Sequence, residues 1–212
     1  MPDALWVATS GGGVFQSIDA GASWQARSDG IAATNVRALA VHPNPSTASV
    51  GNPGQRLYAG FGDAFQGSPG LFISTDFGAT WNPRNTQLRA SQIRAIAIDP
   101  TTAGLLPADV ASSHIYAVGG SAQLDGYVNS GLYKSTNGGT TWTTLDGNLP
   151  TEVWWGGQIT AYLGTVRSVV LDPRSCTIPL ALAPCSSGPL LRVYATATGN
   201  NANTHRIVRS DD

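Results

Sequence analysis

The sequence predicts an all-β fold assembled from repeated four-stranded antiparallel units. Three observations carry this. Lys and Glu, strong helix formers on surfaces, occur once each in 212 residues, as Lys134 and Glu152, which leaves little to build exposed helices. Gly (25) and Pro (13) supply turn chemistry for many short strands. An eight-residue element also recurs. Ser17-Ile18-Asp19-Ala20-Gly21-Ala22-Ser23-Trp24 returns as Ser74-Thr75-Asp76-Phe77-Gly78-Ala79-Thr80-Trp81 and as Ser135-Thr136-Asn137-Gly138-Gly139-Thr140-Thr141-Trp142. A fourth copy opens at Ser210-Asp211-Asp212, and the leading serines are 57, 61 and 75 residues apart.

The strands follow in a fixed order. The first strand of each unit is Val36-Arg37-Ala38-Leu39-Ala40-Val41, then Ile93-Arg94-Ala95-Ile96-Ala97-Ile98, then Val166-Arg167-Ser168-Val169-Val170-Leu171. The second is Leu57-Tyr58-Ala59, matched by Leu5-Trp6-Val7, Ile115-Tyr116-Ala117 and Val193-Tyr194-Ala195. These runs are β-branched or aromatic and are bounded by Gly, Pro or Asn. The third strand is 70–74 or 131–135, and the fourth is expected to start at the Trp. A repeated four-stranded unit of about 60 residues is the sequence form of a β-propeller blade. A β-sandwich explains many short strands but not their identical order in every unit.

The recurring element reads as a tight hairpin between third and fourth strands. Asp accepts backbone N–H bonds from its own turn. Gly supplies a positive φ, and Trp closes the turn by burying a large apolar face. Asn137 replaces Asp in the third copy and still suits the turn. A calcium loop needs several acidic ligands within about twelve residues, and each of these turns has one or none, so the role is structural. The residues concerned are Ser17, Asp19, Gly21, Trp24, Ser74, Asp76, Gly78, Trp81, Ser135, Asn137, Gly139 and Trp142.

This element resembles the Asp-box, or BNR repeat, of bacterial sialidases, sortilin-type receptors, xyloglucan-degrading glycosidases and a photosystem II assembly factor. The flanking Val-Arg-Ala-Leu-Ala-Val-His-Pro and Leu-Tyr-Ala-Gly pattern is most similar to the secreted sortilin-like and xyloglucanase-like propellers. The resemblance covers nearly the whole chain and implies the fold. It implies little about function, because these families do different chemistry on one scaffold.

The expected object is a partial propeller over 1–212, with blade remnants at 1–30, 31–87, 88–148 and 149–212. It starts in a second strand and stops within a turn, which suggests about three and a half blades against the roughly four to eight that close a ring. The rest is expected from a longer chain or from further copies. Twelve Lys+Arg against thirteen Asp+Glu argue against a nucleic-acid binder. No apolar run approaches a membrane span, and Met1-Pro2-Asp3-Ala4-Leu5 shows no signal-peptide head.

Both cysteines, Cys176 and Cys185, lie in one Pro-rich connection. They read as a local disulfide, against two free thiols. Closing such a loop stabilises by about 2.5–3 kcal/mol in the chain-entropy model and implies an oxidising compartment: extracellular, cell-surface or periplasmic. With His42, His114 and His205 scattered, no metal or cofactor is expected.

Function is expected on the face shared by two sets of loops. One set joins the fourth strand to the next unit, and the other joins second to third strands. Trp154, Trp155 and Tyr162, with Phe65 and Tyr127, form the expected contact surface for a protein partner or a polysaccharide. The alternative is that Trp154 and Trp155 pin a loop or pack on a neighbouring protein. Glycoside hydrolysis normally needs two carboxylates about 5–10 Å apart, and the candidates are Asp63, Asp125 and Glu152. Arg37, Arg94 and Arg167 share the second position of each first strand. Three arginines bind a carboxylate in sialidases, which this trio resembles. The simpler expectation is that each pairs locally and recurs because the unit recurs. The favoured role is a non-catalytic extracytoplasmic binding or assembly module, and the alternative is a piece of a secreted glycoside hydrolase.

Overall fold

The computed structural model describes residues 4–31, 35–43, 56–62, 70–88, 90, 92–102, 112–120, 131–145, 166–172, 192–198 and 205–211. Among these run fourteen strands and no α-helix. Four sheets follow one another in chain order. The first sheet holds β1 (Leu5–Thr9), β2 (Gly13–Ser17) and β3 (Gln25–Ala26). The second holds β4 (Val36–Val41), β5 (Leu57–Phe61), β6 (Leu71–Ser74) and β7 (Asn82–Pro83). The third holds β8 (Gln92–Ile98), β9 (Ile115–Gly120), β10 (Gly131–Ser135) and β11 (Thr143–Thr144). The fourth holds β12 (Val166–Leu171), β13 (Arg192–Thr198) and β14 (His205–Asp211). Every pairing is antiparallel between neighbours in sequence.

The fourth strands differ from expectation. They start one residue after each Trp, at Gln25, Asn82 and Thr143, and last two residues. The Trp itself leaves the ladder because its indole packs on the sheet before it. Trp81 Nε1 donates to the Arg27 carbonyl at 2.9 Å, and Trp142 Nε1 donates to the Arg84 carbonyl at 3.1 Å.

Strand alternation sends successive side chains to opposite faces, and both faces of the middle sheets are buried. Leu57, Ala59 and Phe61 join Val14, Phe72 and Trp81 in a core between the first and second sheets. Tyr58, Leu71 and Ile73 meet Ile115, Ala117, Tyr133 and Trp142 between the second and third. Tyr116, Val118 and Leu132 meet Val169, Val193 and Ala195 between the third and fourth. The first strands adjoin across these boundaries, β4 against β8 and β8 against β12. Each boundary is a layer of apolar side chains, the dominant favourable contribution to such packing.

The recurring turn is closed the same way three times. The serine Oγ accepts from the glycine amide at 2.8 Å in each copy, at Gly21, Gly78 and Gly139. The acidic oxygen accepts from the amide four residues on: Ser23 to Asp19 at 2.9 Å, Thr80 to Asp76 at 2.8 Å, Thr141 to Asn137 at 2.9 Å. Asn137 differs in one bond. Its Nδ2 donates to Thr141 Oγ1 at 2.8 Å, whereas the Thr80 hydroxyl donates to Asp76 at 2.6 Å. The threonine hydroxyl serves as donor or acceptor, so the amide fits where a carboxylate stood. The backbone is left-handed at Gly21 (φ 93), Gly78 (φ 73) and Gly139 (φ 85).

Candidate functional site

Arg37, Arg94 and Arg167 line one cavity of about 230 Å³. Each lies on the first strand of its sheet, and each is the extra residue of a β-bulge. In the β4–β5 ladder Val36 faces Phe61 and Ala38 faces Gly60, so Arg37 has no partner. The β8–β9 ladder skips Arg94 between Ile93 and Ala95. The β12–β13 ladder skips Arg167 between Val166 and Ser168. A bulge bends its strand and re-aims the side chain it carries. Three bulges at one repeat position, on strands that lie side by side, bring three guanidinium groups to one cavity.

The local-pairing expectation is not met. Among the described residues none of the three arginines meets a carboxylate within ion-pair distance; the ion pair seen there is Arg192 Nη1 with Asp172 Oδ2 at 3.4 Å. Arg94 is half-buried, and its Nη2 donates to the Gln92 side-chain oxygen at 3.1 Å. Its Nε is buried and has no hydrogen-bond partner. Burial, then the charges of Arg37 and Arg167, pulls the Arg94 pKa below its usual value. Arg37 and Arg167 are exposed. The stem of Arg37 crosses Gly62 so closely that a Cβ there would lie 2.0 Å from Arg37 Cδ. Gly62 is therefore a supporting residue that sequence reading missed, as is Gln92.

Other polar groups divide between turn and core. His42 Nε2 and Ser113 Oγ lie 3.0 Å apart, both buried, joining the second and third sheets. Their burial makes the pair a structural bond rather than a nucleophile and base. Lys134 lies 5.7 Å from the Tyr116 ring centroid, a cation–π distance. The Tyr116 hydroxyl is buried without a partner, and burial, then the Asp99 charge, pushes it up to about 12. A second cavity of about 460 Å³ is lined by Gln87, Leu88, Trp142, Thr143 and Thr144. No group of three His, Cys, Asp or Glu that could hold a metal occurs among the described residues.

The loop candidates Phe65, Tyr127, Trp154, Trp155 and Tyr162 lie outside the described residues, as do Asp63, Asp125, Glu152, Cys176 and Cys185. The described turn residues are brought into three copies of one hairpin and stand apart from the arginine cavity.

The BNR/Asp-box repeat family matches residues 72–83, which span β6, the second turn and β7. The chain matches no curated protein.

Proposed function

We propose that the chain is one arc of a β-propeller, about three and a half blades, and that it works as a non-catalytic binding module holding an anionic group in the arginine cavity. The single observation that carries this is the convergence of Arg37, Arg94 and Arg167 on one cavity without a carboxylate among the described residues. A structural arginine normally has an acceptor, and an unpaired cluster raises the local potential for anions. Face-to-face packing of sheets in chain order, with their first strands adjoining, supports the propeller reading. Location outside the cytoplasm rests on the BNR match and on a Cys176–Cys185 bond, which thiol titration of the denatured, unreduced chain tests. Trp154, Trp155 and Tyr162, with Phe65 and Tyr127, extend the contact surface toward a protein or glycan carrying the anion.

The experiment is calorimetric titration of the chain with small anions and with an acidic polysaccharide, repeated on Arg94→Gln. Anion binding lost in a folded Arg94→Gln chain supports the reading, and equal binding by both chains defeats it. The BNR match also fits a piece of a secreted glycoside hydrolase acting through Asp63, Asp125 or Glu152. Turnover of chromogenic glycosides, lost on replacing one of these carboxylates, would favour that alternative.

A further inference from the structure

We infer that the arginine cavity selects a terminal group with three oxyanion oxygens, a phosphate monoester or a sulfate ester, over a planar carboxylate. This rests on the anion-binding reading above and narrows it to a ligand class.

The argument is one of counting and shape. The three arms come from the same bulge position of three successive sheets, so they reach the cavity from three different strands and not as one stacked row. One guanidinium is a planar fork that spans both oxygens of a carboxylate by itself. A carboxylate taken by one arm leaves two arms contending for oxygens already engaged. A terminal phosphate or sulfate offers a tripod, one oxygen for each arm, with the fourth valence carrying the ester outward. The charge count points the same way. No described carboxylate offsets the three positive charges, and a phosphate monoester carries close to two negative charges near neutrality. The buried Nε of Arg94 is a further donor without an acceptor, and such a group is costly to leave unbonded.

Size and lining agree with this class. A cavity of about 230 Å³ is lined by these three arginines. It has room for a tetrahedral oxyanion, since a water takes about 30 Å³. Discrimination therefore falls on the oxyanion and not on its ester group. The chain's net charge of -1 gives no general attraction for anions, so binding must come from this cluster.

The test uses the 212-residue chain in a chloride buffer at neutral pH, titrated separately with methyl phosphate, methyl sulfate and acetate. The expected order is methyl phosphate tightest, methyl sulfate next, and acetate at least about tenfold weaker than methyl phosphate, about 1.4 kcal/mol. Arg167→Gln and Arg37→Gln change exposed side chains and spare the fold, which circular dichroism checks. Each is expected to weaken methyl phosphate about tenfold or more. Arg167→Lys recovers only part of the loss because an ammonium lacks the fork. Acetate binding as tightly as either ester overturns the tripod assignment while leaving an anion site. No binding of any probe by the folded chain overturns the anion reading itself. Binding unchanged in the folded glutamine variants moves the site elsewhere and overturns both. The ratio of the two esters separates phosphate from sulfate as the natural group.

Discussion

Trp24 and Trp81 occupy the same position of the same hairpin, yet Trp24 is 41% exposed and Trp81 is 3% exposed. Leu5 at the start of β1 is 43% exposed, while its counterparts Leu57 and Ile115 are fully buried. Local structure does not account for this, because the turn bonds of the first copy match those of the second within about a tenth of an ångström. The difference is the neighbour. Trp81 and Leu57 lie on the first sheet, and no described sheet lies against Trp24 and Leu5. The turn is thus a local device, and the tryptophan in it serves the boundary between sheets. Val170 and Ile207 of the fourth sheet are exposed at 61% and 75%, on positions that face a following sheet in the earlier units.

That contrast predicts unequal costs for equal substitutions. Trp142→Ala should lose about 3–5 kcal/mol, the range for a buried aromatic. Trp24→Ala should lose about 1 kcal/mol or less, as exposed sites do. Chemical denaturation of both variants decides it, and equal losses would mean that the turn, not the neighbouring sheet, uses the indole.

Smaller effects are expected within the turn, and there the copies should agree. Asp19→Ala and Asp76→Ala each remove the acceptor for the amide four residues on. Both should destabilise less than Trp142→Ala and by similar amounts. A large excess at Asp76 would show that its turn depends on the sheet beside it.

Acid should separate the third turn from the other two. Bonds from the Ser23 hydroxyl and amide, then from Ser17, hold the Asp19 carboxyl at about 2, below its usual 3.8. For Asp76 burial is the largest single influence and raises the value, but bonds from Thr80 and Ser74 together outweigh it and leave it lowered. A folded value below the unfolded one gives stability that is complete above about pH 4 and is lost as pH falls through the folded value. The amides of Ser23 and Thr80 should therefore lose exchange protection toward pH 2. The amide of Thr141, bonded to the non-titrating Asn137, should lose protection only with the sheet itself. Amide exchange followed by NMR reads all three at once.

The smallest effect is expected for Asn137→Asp, within about 0.5 kcal/mol near neutrality. The Thr141 hydroxyl can turn from acceptor to donor, so thermal unfolding should hardly move, while acid sensitivity should spread to the third turn.

Much of the fold is legible in the sequence because each unit restates it. The strands fall on the recurring β-branched runs, and the hairpins fall on Ser-x-Asp/Asn-x-Gly. The fourth strands were harder to read, since two-residue strands carry no alternation to recognise. The arginine recurrence was visible, but its convergence was not. Nothing around Arg37, Arg94 or Arg167 marks a bulge, for no Gly or Pro stands beside any of them. Gly62 is one of 25 glycines, and only the path of Arg37 across it gives it a role. The missing carboxylates are equally a matter of three dimensions, since acidic residues occur throughout the chain.

The bulge travels with the repeat, and that makes the charge of the cavity a matter of copy number. Duplicating one unit would deliver an additional guanidinium already aimed inward, and deleting one would remove it, without any new residue having to be invented. Ancestral gain or loss of units would then move ligand preference in whole charges. Point substitutions at the second position of each first strand tune single arms between those steps. Selection on such a chain has a coarse control and a fine one, and both act on the same few strand positions.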